Sequence, residues 1–187
     1  MIGTTRLGGL GNDERGVALV EFACVLPVLL LMYLGGYQVM DALSCNRKVT
    51  ITARAVADLT TQNAGVTNSS VATILSAATE IMAPYKATNA LVRVTELQTD
   101  SKGNTTVFWS QDNRGSGLAQ TTAYALPTNI KVNGSCIIIS EVFYSYTPPV
   151  TFGIVGPLSL SDKIYMNSRT SNQISYNQTT SSVCPAN

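Results

Sequence analysis

The sequence predicts an α+β protein: a long N-terminal transmembrane and stalk helix, then a small helix and an antiparallel β-sheet head. Three observations carry this reading. Between Val17 and Met40 the only charged residue is Glu21, and the rest is rich in leucine and valine. An apolar stripe at helical spacing then prolongs the helix to about Thr60. Past Gln62 the composition shifts to short β-rich runs separated by turn residues. The whole chain has 187 residues, 45% hydrophobic and 12% charged, with a net charge of +1. So few charges in near balance exclude the basic face of a nucleic-acid binder. So much apolar material also excludes a disordered chain.

The elements follow in order. Residues 1–16 form a polar, glycine-bearing leader ending Asn12-Asp13-Glu14-Arg15-Gly16. Residues 17–40 form the membrane span, since about 20 apolar residues cross the hydrocarbon core as a helix. Glu21 lies near its start, where an unpaired carboxylate is disfavoured; at the bilayer centre an acid costs about 2.5–3.5 kcal/mol. An acid inside a span is therefore a functional candidate, although a residue so near the helix end can also snorkel to the interface. Pro27 removes a helical hydrogen bond, so a kink is expected there. Residues 41–62 continue as an amphipathic stalk, with Ala42, Cys45, Val49, Thr52, Val56 and Leu59 expected on the buried side.

Residues 63–187 make the globular head. Asn63-Ala64-Gly65 breaks the helix, and Asn68-Ser69-Ser70 offers caps for a second helix reaching about Ala83. Leu91 to Thr99, Thr105 to Gln111, Cys136 to Tyr146 and Leu158 to Asn167 read as strands. Asp100 to Asn104 reads as a turn, and Pro148-Pro149 as a strand end. The stretch from Asn113 to Thr122 and the tail after Ser168 read as polar loops.

The N-terminal string makes the reading specific. Arg15-Gly16-Val17-Ala18-Leu19-Val20-Glu21-Phe22-Ala23, followed by Leu26-Pro27 and further leucines, resembles the TadE/TadG-like minor pilins, or pseudopilins, of the tight-adherence (Flp) type IV pilus. Weaker echoes are Arg47 to Thr50, Arg54 to Leu59, Ile81 to Tyr85 and Val142 to Pro149. The resemblance implies a pilin-like fold, cleavage by a prepilin peptidase between Gly16 and Val17, and a processing and assembly motif at Glu21-Phe22. It implies other pilin subunits, the assembly platform and the inner membrane as partners. The place would be the bacterial inner membrane with the head in the periplasm, or an extracellular pilus serving adhesion and biofilm formation. Arg6 and Arg15 precede the span while Arg47, Lys48 and Arg54 follow it, so charge counting does not orient it. The resemblance implies leader inside and head outside.

The remaining chemistry is sparse. The chain has no histidine, which removes histidine-based triads and metal sites, and no CxxC pair. We expect no catalytic residue, no metal and no cofactor, and hence no enzyme. Of four cysteines, Cys24 belongs to the span and Cys45 to the stalk. Cys136 and Cys184 lie in the head, which on translocation would meet an oxidising compartment. Sequence does not fix connectivity, and Cys136 with Cys184 is the candidate disulfide. The alternative function is an uncleaved, membrane-anchored envelope protein with a periplasmic or surface binding domain.

Overall fold

An apolar helix that ends in an amphipathic stripe must bury only its second half, and this is how the first element, α1 (Arg15–Thr61, 47 residues), is used. The computed structural model describes residues 15–148 and 156–184; most of the expected leader, including Arg6, and Pro149 lie outside the described residues. At 1.5 Å per residue α1 is about 70 Å long. Its helical pattern continues through Pro27, which lacks the N–H that would reach Ala23. The most apolar window of α1 is long enough to cross a membrane, and none of it is buried by the rest of the protein. Burial begins in earnest at Cys45 and continues through Val49, Ala53, Val56 and Thr60.

The expectation that Leu59 closes this stripe is corrected: Leu59 is 41% exposed, while Thr60 is fully buried. Steps of four residues from Cys45 to Val49 to Ala53, and again from Val56 to Thr60, carry the buried line past Leu59. Thr60 is tolerated because its hydroxyl donates to the Val56 carbonyl at 2.7 Å. The helix cap is also corrected. The second helix, α2 (Asn68–Ile81), is capped by Thr67, whose hydroxyl accepts from the Ser70 N–H at 3.2 Å. The Ser70 hydroxyl accepts from the Thr67 N–H at 2.8 Å, completing a reciprocal box. Val71, Leu75, Ala78 and Met82 form its buried edge.

Four antiparallel strands form the main sheet: β2 (Ala90–Thr99), β3 (Thr105–Asp112), β4 (Ser135–Tyr146) and β5 (Leu158–Met166), in the order β3-β2-β4-β5. The turn between β2 and β3 is set by Asp100, whose Oδ1 accepts from the N–H groups of Lys102 and Asn104, while Gly103 takes φ 83°. α1 lies over β4 and β5, and α2 packs on α1 and over β2 and β3. The core between helices and sheet holds Val92, Val94, Trp109, Ile138, Val142 and Tyr144. The opposite face of the sheet carries a second, smaller core of Leu97, Val107 and Ile139, covered by Leu126 and Leu118 from the 113–134 segment. One β-bulge makes both cores possible. Glu96 pairs with Trp109 but Leu97 pairs with Val107, so Phe108 is the extra residue, and Val107 and Trp109 turn to opposite faces.

On the outer face four charges cross the sheet in one row: Asp112, Arg93, Glu141 and Lys163, each cross-strand neighbour of the next. Lys163 Nζ meets Glu141 Oε1 at 2.7 Å, and the Tyr124 hydroxyl donates to the same oxygen at 2.9 Å. Arg93 lies 3.6 Å from Glu141 and 4.0 Å from Asp112. The hydrogen bond that the Lys163 ammonium donates to Glu141 holds it above its ordinary range.

The tail after Ser168 is not the loose loop expected from its polar composition. It is a strap, with β6 (Ser175–Tyr176) pairing in parallel with β1 (Gly65–Val66). That pairing is close enough that a Cβ at Gly65 would strike the Ser175 side chain. Ile174 is fully buried, and the Tyr176 ring stacks on Trp109 with centroids 4.9 Å apart. Cys184, near the end of the strap, is disulfide-bonded to Cys136 at the start of β4, with Cα atoms 5.8 Å apart. Closing this loop, whose ends are 48 residues apart in sequence, is worth about 4 kcal/mol in the chain-entropy account.

Glu96 anchors the strap from within. Its Oε1 accepts from the Ile174 N–H at 2.8 Å and its Oε2 from Trp109 Nε1 at 2.5 Å. Burial outweighs these two hydrogen bonds and pushes the carboxyl up from 4.5 to about 7. The folded state therefore holds a proton that the unfolded chain gives up between pH 4.5 and about 7. Over that window this group's contribution to stability falls as pH rises. Glu96→Gln should remove the slope whatever its constant offset. Denaturant midpoints of both proteins at pH 5, 6, 7 and 8, read from Trp109 fluorescence, check it: the wild-type curve should fall relative to the variant's.

Candidate functional site

Two places on α1 bear on function, one at its free end and one where it enters the head. At the free end, Gly16 sits in the first turn of the helix, with open space where a Cβ would be. Glycine is also the weakest helix former after proline, so this turn opens at small cost. Val17 and Phe22 are 66% and 61% exposed, and Val17, Val20 and Glu21 border the notch left by Gly16. Glu21 lies four residues beyond Val17, one turn along the same side of the helix. Among the described residues, none of the head covers this region, so the motif and Pro27 stand on a bare apolar rod. Cys136 and Cys184 lie at the opposite end of the molecule from them and share no site with them.

The second place is Asp41, the first charge after the span. Tyr146, the last residue of β4, donates its hydroxyl to Asp41 Oδ2 at 2.6 Å. Tyr85, beyond α2, shares its hydroxyl between Asp41 Oδ1 and the Asp41 main-chain carbonyl, each at 3.0 Å. The ring of Tyr85 meets those of Tyr144 and Tyr146 edge-on, with centroids 6.3 and 6.4 Å apart. Burial first, and the Asp41 hydrogen bond second, push both phenols well above their ordinary value. They stay protonated and remain donors. At its far end α1 is held by the strap: the Arg169 N–H and the Thr170 hydroxyl donate to the Thr61 and Gln62 carbonyls, each at 3.0 Å. Arg169 also pairs with Asp58 at 2.5 Å. These bonds satisfy carbonyls that a helix end otherwise leaves open.

Sequence reasoning did not pick out Asp41, Tyr85 and Tyr146 as a unit. A signal was present: an acid at the close of an apolar run, and tyrosines in two short stretches weighed only as family echoes. What sequence lacks is the distance between them, 44 and 105 residues along the chain. Among the described residues, no three acidic or cysteine side chains converge as a metal cage would require.

Comparison with known proteins adds one match. A family model described as TadE-like protein matches residues 16–58, which is the rod, Asp41 and most of the buried stripe together. No curated protein and no solved structure matches the chain.

Tyr146→Phe tests the Asp41 clamp, since it removes one donor and keeps the ring. The variant should lose about 1.5–3 kcal/mol of stability, the usual worth of a hydrogen bond to a charged group. Tyr85→Phe combined with it should be non-additive, because both donors serve one carboxylate. A double-mutant cycle from guanidinium unfolding measures that coupling.

Proposed function

We propose, from the TadE-like domain at residues 16–58, that this chain is a minor pilin or pseudopilin of the tight-adherence pilus system. The observation that carries the reading is the union of that domain with a helix whose most apolar stretch is left uncovered by the described residues of the head. A helix with apolar residues on every side needs lipid or other apolar helices around it. A pilus offers both in turn: the bilayer before assembly, and a bundle of like helices after it. The head's part is to be carried, displayed and packed. It contributes to assembling, priming or tipping the fibre, and no chemical reaction is assigned to it.

In this proposal residues 1–16 remain on the cytoplasmic side and the head lies across the membrane. Prepilin peptidase cuts between Gly16 and Val17, where the missing side chain and the weak first turn let a catalytic group approach the peptide bond. The cut creates a positive amine on Val17. Glu21, out of place in an apolar environment, pairs with such an amine on a neighbouring subunit during assembly. Opposite charges attract strongly in a low dielectric and an unpaired one is penalised, so the pair selects one stagger between helices. Phe22 packs beside it, and Pro27 leaves a weak point in the helix ladder that assembly can use.

Intact-mass measurement of the protein from membranes tests this reading. The expected species begins at Val17. Gly16→Val should instead leave the full-length precursor, and a wild-type chain that keeps residues 1–16 would support an uncleaved envelope anchor in place of a pilin. Glu21→Gln should be processed at least in part, insert slightly better into the bilayer, and leave the head's folding unchanged. Its recovery with sheared pili or the assembly platform should fall by about tenfold, the effect of losing roughly 1.4 kcal/mol of pairing. Normal incorporation of processed Glu21→Gln protein would overturn the charge-pairing role.

A further inference from the structure

The end of the head farthest from the span carries a groove to which nothing above gives a role. β4 ends at Tyr146 beside Asp41, so its first residues lie at the distal end, as do the last residues of the antiparallel β5. Between them, and against the 130–135 turn, is a groove of about 660 Å³. That volume falls within the range that holds small ligands. Its lining contains no charged residue. Ile137 and Val132 give it an apolar surface, and Val132 is 61% exposed, which is unusual for an aliphatic side chain in this head. Tyr165 and Asn167, on and just after β5, line it as well, and among the described residues neither the Tyr165 hydroxyl nor the Asn167 amide has a hydrogen-bond partner. Asn133 uses its Nδ2 on the Ser101 carbonyl at 3.1 Å, which holds the side chain in place and leaves its Oδ1 as an acceptor. The adjacent Cys136 is tied to Cys184, so the wall is covalently braced.

The combination narrows the ligand. With no cation in its lining, the groove offers no charged partner to a phosphate, a sulfate or a carboxylate. Without an anion it offers nothing to an amine. Its open rim and polar amides do not suit a lipid tail, which wants a dry enclosure. An apolar surface bordered by neutral donors and acceptors suits a ligand with C–H faces and several hydroxyl or amide groups of its own. We propose that this groove binds a neutral glycan through an N-acetylhexosamine unit. The sugar's C–H face and acetamido methyl lie on Val132 and Ile137, and the Asn167 amide, the Asn133 Oδ1 and the Tyr165 hydroxyl exchange hydrogen bonds with its polar groups. Placed at the distal end, the site faces away from the membrane-spanning helix, where an external glycan can reach it.

The test uses the full chain in lipid nanodiscs titrated with N,N′-diacetylchitobiose and followed by saturation-transfer NMR. A shallow site of this size should bind with a Kd on the order of 1 mM. Asn167→Ala should weaken binding about tenfold, as expected for losing a neutral hydrogen-bonding group. Tyr165→Phe, which keeps the ring and its packing, should weaken it about threefold or more, with near-UV circular dichroism confirming an unchanged fold for each variant. No transfer to the disaccharide at about ten times the expected Kd would overturn the proposal. So would equal binding by wild type and both variants, or tighter binding of a sulfated heparin disaccharide than of the neutral probe. None of these outcomes depends on whether the chain is cut after Gly16.

Discussion

The packing of the second half of α1 on the inner face of the sheet is the interaction on which the rest of the molecule depends. Cys45, Val49, Ala53 and Val56 share one core with Ile138 and Val142 of β4 and with Leu160 and Ile164 of β5, the two strands that α1 lies over. Burying a single valine is worth about 1.5–3 kcal/mol, so this seam is a major part of the head's stability. It also fixes which part of α1 is left out. Because the seam starts at Cys45, with Gln38 the one earlier position buried among the described residues, the most apolar stretch of α1 projects beyond the head, and the head sits at a set position on the rod. The Asp41 clamp at one end and the strap's bonds to Thr61 and Gln62 at the other lock the helix in register with the sheet.

The two buried glutamates show how the head handles charge. Glu141 sits among Arg93, Lys163 and Tyr124 on the outer face, where cross-strand neighbours supply opposite charges. Glu96 sits on the inner face with two N–H donors, from Trp109 and Ile174, and burial dominates its titration. The first arrangement ties the four strands to one another. The second ties the strap to the sheet and makes that attachment sensitive to pH.

The position of the charged and polar groups along the molecule also follows a pattern. The rod carries one acid near its tip, the junction carries one acid held by two tyrosines, and the distal end carries an uncharged groove. Each fits the surroundings proposed for it: lipid or helices around the first, the membrane surface near the second, and open solvent at the third.

Much of this was legible in the sequence, for a physical reason. The span, the helix continuing past it, the second helix and the four main strands follow from local periodicity and turn chemistry, which neighbouring residues set among themselves. Gly16, Glu21 and Pro27 could be placed on the helix for the same cause, since a position along a bare helix needs no tertiary partner. What only the tertiary structure decided involves residues far apart in the chain. Leu59 gave way to Thr60 because the sheet, and not the stripe, sets which line of the helix is covered. The bulge at Phe108 sent Val107 and Trp109 to opposite faces, against the strict alternation of a strand. The polar tail became a strap because Ile174 and Tyr176, two apolar groups in a run of serines and asparagines, found Glu96 and Trp109 waiting. Asp41 met Tyr85 and Tyr146 because the fold closes loops of 44 and 105 residues, distances that no local rule of sequence can span.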